Sequence, residues 1–176
     1  MSLLTKSLAS LLSIPALAAC ATNLEPIDTV AQVDLERFMG DWYVIASIPT
    51  AIEKNAYNAV ENYALNSDGT VATTFTFRKG GFDGKEKIYR PKGFVRDTET
   101  NATWGMQFVW PFKAQYKIIY LNDDYSQTMI GRDKRDLVWI MARSPKMSDT
   151  DYLALTTMLV EQGYELTDLK KVPQQW

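Results

Sequence analysis

Histidine is absent from the 176 residues of this chain. That excludes a histidine-based catalytic triad, a His-ligated haem and most zinc sites. Cys20 is the only cysteine, so neither an intrachain disulfide nor a thiolate metal cluster can form. No basic stripe runs along any segment, and the formal net charge of −2 comes from interspersed residues of both signs. This argues against nucleic acid as a partner. Long hydrophobic runs are missing too: Ser7 to Ala19 is uncharged and mostly apolar but too short to span a bilayer. What is there is a chain of single-domain length, able to bury a sizeable core.

Met1 to Ala19 reads as a targeting segment, with Lys6 as a short positive region before the apolar stretch. It ends in Leu17-Ala18-Ala19-Cys20, which is similar to the lipobox of bacterial lipoproteins. The resemblance implies that Cys20 is lipidated and becomes N-terminal. The lack of Asp at Ala21 implies sorting to the outer membrane. The alternative is an ordinary secretory signal with an incidental cysteine. Residues 20–32, rich in polar positions, read as the lipidated Cys20 and a flexible tether with a mean reach of about 20 Å. Several acyl chains, at ~0.8 kcal/mol per buried CH₂, would hold the following domain stably at the membrane. That domain is expected over residues 33–176.

The domain opens on Phe38-Met39-Gly40-Asp41-Trp42-Tyr43-Val44-Ile45-Ala46. In an extended chain Gly40, Trp42, Val44 and Ala46 share one side, while Tyr43 and Ile45 take the other. Trp42 is read either as a core residue beside a turn glycine or as the floor of whatever the strand encloses. Further alternating runs follow at Ala56–Asn66, Val71–Arg78, Thr103–Trp110, Ala114–Leu121, Gln127–Arg132 and Leu137–Arg143. Lys85–Arg96 is charged and carries Pro91, which predicts a kinked or bulged strand. About eight strands at short, regular spacing predict an all-β fold, an antiparallel up-and-down barrel able to close around one small ligand. One helix is expected after Ser148, a good N-cap. Its Tyr152, Leu155 and Leu159 form an apolar face to pack outside the barrel on Val138 and Ile140, and Gly163 ends it. A short edge strand is expected near Val172.

With these features the chain resembles the lipocalins, and among them the bacterial outer-membrane lipoprotein lipocalins, over Val33 to about Val172. Gly40-Asp41-Trp42-Tyr43 resembles the family's first motif, and Asp124-Tyr125 the second, with Asp123 where Thr is usual. Arg143, at the end of Leu137-Val138-Trp139-Ile140-Met141-Ala142, resembles the third. The resemblance implies an eight-stranded barrel with a C-terminal helix outside. It also implies that the Arg143 guanidinium lies across the Trp42 ring at the closed end, a stack worth ~0.5–2 kcal/mol. On this reading Gly40, Trp42, Asp124, Tyr125 and Arg143 are structural.

The alternation nominates an inward set: Phe75, Phe77, Tyr89, Trp104, Met106, Phe108, Tyr116, Ile118, Tyr120, Met129 and Trp139 as ligand contacts, with Val44, Val95 and Met141 beside them. Such a lining suits an acyl chain with one polar end. Glu61 either faces the open end or is turned outward by a register shift. The resemblance implies a fatty acid or lysophospholipid as ligand, held by a non-catalytic carrier with no cofactor and no metal. Two other readings stand beside it: a structural envelope domain with a filled barrel, and a lipid-modifying enzyme. The enzyme would have to rely on carboxylates, Lys or Tyr with shifted pKa values.

Overall fold

The structure, a computed structural model, describes residues 24–176. The targeting segment and Cys20 lie outside the described residues. Strands β1 (Gly40–Ile48), β2 (Ala56–Leu65) and β3 (Thr70–Lys79) begin an antiparallel meander. Next along β3 come β4 (Lys85–Tyr89) and β5 (Lys92–Val95), two pieces of one strand interrupted at Arg90-Pro91. The interruption is the kink expected from a proline, which has no N–H to give the ladder. The meander continues through β6 (Thr103–Val109), β7 (Phe112–Leu121), β8 (Gln127–Gly131) and β9 (Val138–Ala142). Pairing of β9 with β1 closes an eight-stranded barrel, as the alternation predicts.

One end is closed by a single-turn helix, α1 (Leu35–Phe38), capped by the Asp34 side chain on the Arg37 N–H. No helix is anticipated there from the sequence. Phe38 and Trp42 are fully buried beneath it, with the Trp42 Nε1–H donating to the Phe38 carbonyl at 2.8 Å. Arg143 completes the closure. Its Cζ lies 3.9 Å from the Trp42 ring centroid, and its N–H groups donate to the carbonyls of Arg37, Phe38, Met39 and Asp41 at 2.7–3.1 Å. Gly40 sits at φ +92°, and a Cβ there would come within 3.3 Å of Arg143 Nη1. The glycine is required both by the backbone and by the close approach of the guanidinium.

The second helix, α2 (Asp149–Glu161), starts at Ser148, whose Oγ accepts from the Asp151 N–H, and Gly163 follows its end at φ +86°. Its Leu155 and Leu159 are buried on the outer wall against Val138 and Ile140. Two β-bulges shape that wall. One falls between Val44 and Ala46 and the other between Ile118 and Tyr120. Each adds a residue and flips the alternation beyond it. Ala46 and Tyr120, both expected inside, therefore belong to the outer layer with α2. Met129, also expected inside, joins them because β8, itself without a bulge, pairs Ile130 with inward-facing Ile118.

The C-terminal segment supplies the short strand expected near Val172, in a position that the sequence does not reveal. A 3₁₀ turn (Leu166–Asp168) leads to β10 (Lys170–Lys171), which is not an edge addition. It enters beyond the last β1–β2 pair, Tyr43 with Val60, pairing with Ala46 and Ser47. Gln174 then bridges the two strands, its Nε2 donating to the Val44 and Ala59 carbonyls at 2.8 and 3.1 Å. Nor are Leu24 to Gln32 a free tether. Ile27 is buried, and the Val30 N–H donates to the Ile118 carbonyl at 3.0 Å.

Arg143→Ala strips the partner from several backbone carbonyls at once. It is expected to cost ~3 kcal/mol of stability, read as a lowered urea midpoint. An unchanged midpoint would show that the closed end holds without it.

Candidate functional site

Inside the barrel an aromatic column rises from the closed end. Phe38 packs on Trp42 and edge-on to Trp104, with centroids 5.1 and 5.6 Å apart. Trp104 stacks on Tyr116 at 5.4 Å, and Tyr116 on Trp139 at 6.5 Å. Phe75, Phe77 and Tyr89 pack side by side on the β3–β4 wall. Phe38, Trp42, Tyr63 and Trp104 fill the closed half of the barrel, while Phe75, Phe77 and Tyr89 pack further toward the open end. Above it, in the open half, is a cavity of about 240 Å³. Its walls are Thr50, Glu61, Thr73, Pro91, Met106, Phe108, Ala114, Gln115, Tyr116, Arg132, Leu137 and Trp139. A groove of about 400 Å³ between the tail and α2, lined by Tyr152 and Lys171 among others, is wider but open to solvent on the outer wall.

The cavity has a polar floor. Glu61 faces in and is 8% exposed. The Tyr63 hydroxyl donates to its carboxylate, and the Tyr63 and Tyr116 hydroxyls lie 2.5 Å apart. Burial pushes the Glu61 carboxyl up to about 7, a rise that the Tyr63 hydrogen bond opposes and the charge of Glu53 reinforces. Burial, reinforced by the Glu61 charge, also raises both phenols well above their ordinary range. Glu53, in the β1–β2 connection, accepts from Trp139 Nε1 at 3.0 Å, and burial raises its carboxyl as well. The Thr50 hydroxyl on the wall is buried without a partner.

A closed up-and-down barrel with an outer helix, a Gly-x-Trp opening strand and an arginine stacked on that tryptophan match a known pattern. A family model described as a lipocalin-like domain fits residues 33–174. The chain belongs to the lipocalin family. Temperature-induced lipocalin-1 of Arabidopsis thaliana is 29% identical over 162 residues, 87% of this chain and 86% of that one. Outer membrane lipoprotein Blc of Citrobacter freundii is 27% identical over 161 residues, 89% of each chain. Among solved structures, insecticyanin from the tobacco hornworm superposes with a TM-score of 0.64 at 13% identity, covering 83% of each chain. Lobster apocrustacyanin A1 gives 0.64 at 12% identity, over 89% of this chain and 94% of that one. These two likenesses concern the fold. Lipocalins bind small hydrophobic ligands and are generally not enzymes.

In this lipocalin the residues of the three motifs meet at the closed end. Tyr125, at φ +60°, receives the Asp34 N–H on its hydroxyl at 2.9 Å and carries the Arg37 guanidinium 3.9 Å from its ring centroid. Asp124 accepts from the Ser126 N–H at 3.0 Å, and the Ser126 hydroxyl foremost, with that N–H, holds its carboxyl below the usual range. Of the nominated ligand contacts, Met106, Phe108, Tyr116 and Trp139 line the cavity. Phe75, Phe77, Tyr89, Trp104 and Ile118 are inside the barrel but in the packed core, away from the cavity wall. Thr73 shares the inward side of Phe75 in the sequence alternation, so that signal places it. Thr50 comes from the β1–β2 connection, where alternation carries no information, whereas Arg132 and Leu137 flank β8 and β9 at the ends of the two alternating runs, on the same side as Ile130 and Trp139.

Glu61 makes stability depend on pH. Its folded value, about 7, lies above the unfolded 4.5, so the native state binds the extra proton. Stability therefore falls as pH rises from about 4.5 through about 7, by up to about 3 kcal/mol. Glu61→Gln is expected to flatten most of that fall in urea midpoints taken at pH 5 and pH 8, with Glu53 leaving a remainder. An equal slope in the variant would assign the dependence elsewhere.

Proposed function

We propose that this lipocalin is a membrane-anchored, non-catalytic carrier that stores or transports a fatty acid or lysophospholipid in the bacterial cell envelope. The observation that carries this reading is the cavity in the open half of the barrel, largely apolar with a few placed polar groups. At about 240 Å³ it lies below the ~300–1,000 Å³ of drug-sized sites, which favours the leading part of one acyl chain over two chains. Cys20 supplies the anchor on this reading, and residues 1–19 the targeting signal. The relatives named outer membrane lipoprotein support an outer-membrane location facing the periplasm. The Glu61, Tyr63 and Tyr116 groups satisfy one another, which supports a binding role over a reactive one.

The filled closed half of the barrel favours a second reading, a purely structural envelope domain. The two separate cleanly. The chain from Ala21 onward, purified without detergent and extracted with organic solvent, is expected to yield about one single-chain lipid per protein by mass spectrometry. An empty extract, with no tryptophan-fluorescence response to added palmitate or lysophospholipid, would establish the filled barrel. Ala114, an exposed residue on the cavity wall, offers a second check. Ala114→Trp is expected to weaken lipid binding about tenfold or more while leaving the urea midpoint near the parent value.

A further inference from the structure

The open rim of the barrel carries an apolar prominence that the cavity does not use. The β6–β7 hairpin ends in Phe108-Val109-Trp110-Pro111-Phe112, with Val109 68%, Trp110 82% and Phe112 76% exposed. Val109 pairs with Phe112, so Trp110 and Pro111 form the tip. Ile52, on the β1–β2 connection at the same rim, is 38% exposed. Isolated exposed apolar residues are ordinary, but a run of aromatic and branched side chains at one hairpin tip leaves a contiguous patch in water. Only Phe108 among these turns toward the cavity wall, and it does so from the root of the hairpin.

The start of the described chain is fastened at the same end. The Glu25 backbone carbonyl accepts from Arg135 Nη1 at 2.6 Å, and the Ile27 N–H donates to Asp133 Oδ1 at 2.9 Å. Lys117 Nζ donates to the Ile27 carbonyl at 2.9 Å and pairs with Asp133 at 2.8 Å. Asp133 and Arg135 belong to the β8–β9 connection, on the open rim and away from the closed end where Arg143 stacks on Trp42. Leu24 is thus delivered beside the mouth. Cys20 is four residues earlier, a span of at most about 14 Å.

We propose that the Val109–Phe112 hairpin tip is a membrane-docking element that seats the open mouth of the barrel on a lipid bilayer. Aromatic residues suit the boundary between head groups and acyl chains, where one part of the ring is dry and the other wet. A chain fastened at the rim brings any anchor at Cys20 to the same side, so anchor and hairpin engage one surface instead of opposing each other. The mouth then opens directly onto the source of a lipid ligand. The docking itself stands on the hairpin and the rim-fastened N-terminal segment; only its purpose rests on the lipid-carrier reading.

The test uses the chain from Ala21 onward, which lacks Cys20 and retains every described element. Vesicles of phosphatidylcholine with phosphatidylglycerol are the probe, and co-sedimentation is the readout. The parent is expected to pellet with vesicles, with Trp emission shifting to the blue and quenched by brominated lipid. W110S combined with F112S is expected to lower the partition about tenfold or more. L153S combined with V160S, at exposed positions on α2, is expected to leave it unchanged. Far-UV circular dichroism confirms folding of each variant. Absence of vesicle binding by the parent, or equal binding by both double variants, would overturn docking through the hairpin. So would a parent that self-associates through Trp110 without pelleting. Lipid extraction and ligand titration report on the cavity separately, so failure of docking leaves the carrier reading standing, and the reverse.

Discussion

The barrel depends on one contact, the Arg143 guanidinium lying on the Trp42 indole. Trp42 opens the first strand and Arg143 follows the last, so their stack sits at the seam where β9 closes on β1. A planar, permanently charged group can cover an indole face while its edge donates to carbonyls, which a lysine could not do in the same geometry. Those carbonyls belong to α1 and the start of β1, and α1 brings Phe38 down onto Trp42. Gly40 leaves room for the guanidinium, and Tyr125 adds a carbonyl acceptor from the β7–β8 connection at 3.3 Å. A cation confined at one end in this way closes the floor without occupying the interior.

The same closure decides where a ligand space can exist. From Trp42 the aromatic column passes through Trp104 and Tyr116 to Trp139, and each ring takes interior volume. Only the open half is left hollow, floored by a carboxyl and two phenols that satisfy one another. The low dielectric of that floor keeps Glu61 poised near neutrality. A buried carboxyl with no cationic partner is costly for a core alone, and its cost falls when a proton replaces the missing counter-charge.

Much of this was legible along the chain. Period-two alternation located the strands, Pro91 the break in one of them, and Ser148 with Leu155 and Leu159 the outer helix. The motif residues were legible because each has a residue type for which the closed end admits few substitutes. The cavity was less so. Tyr120 was expected inside because alternation was carried straight through β7, whereas an added residue at Ile119 reverses it. Met129 was misplaced because the parity of β8 is set by pairing Ile130 with Ile118, which no local pattern shows. Ala46 fails for the same reason as Tyr120, at Ile45. Thr50 reaches the cavity from a connection that has no period to read.

The sequence by itself determined the element types, their order and the apolar stock of the interior, while the closing arginine was implied by the resemblance of its motif to the lipocalins. The first three follow from local rules: side-chain alternation, capping and turn residues. Tertiary structure alone decided which aromatics pack on each other and which border empty space. It also decided that Glu61 turns inward, that the tail wedges between β1 and β2, and that residues 24–30 are fastened to the open rim. Each of these depends on bulges and on contacts between residues distant in the chain. A one-residue change of register costs little to write locally and reverses every side chain beyond it.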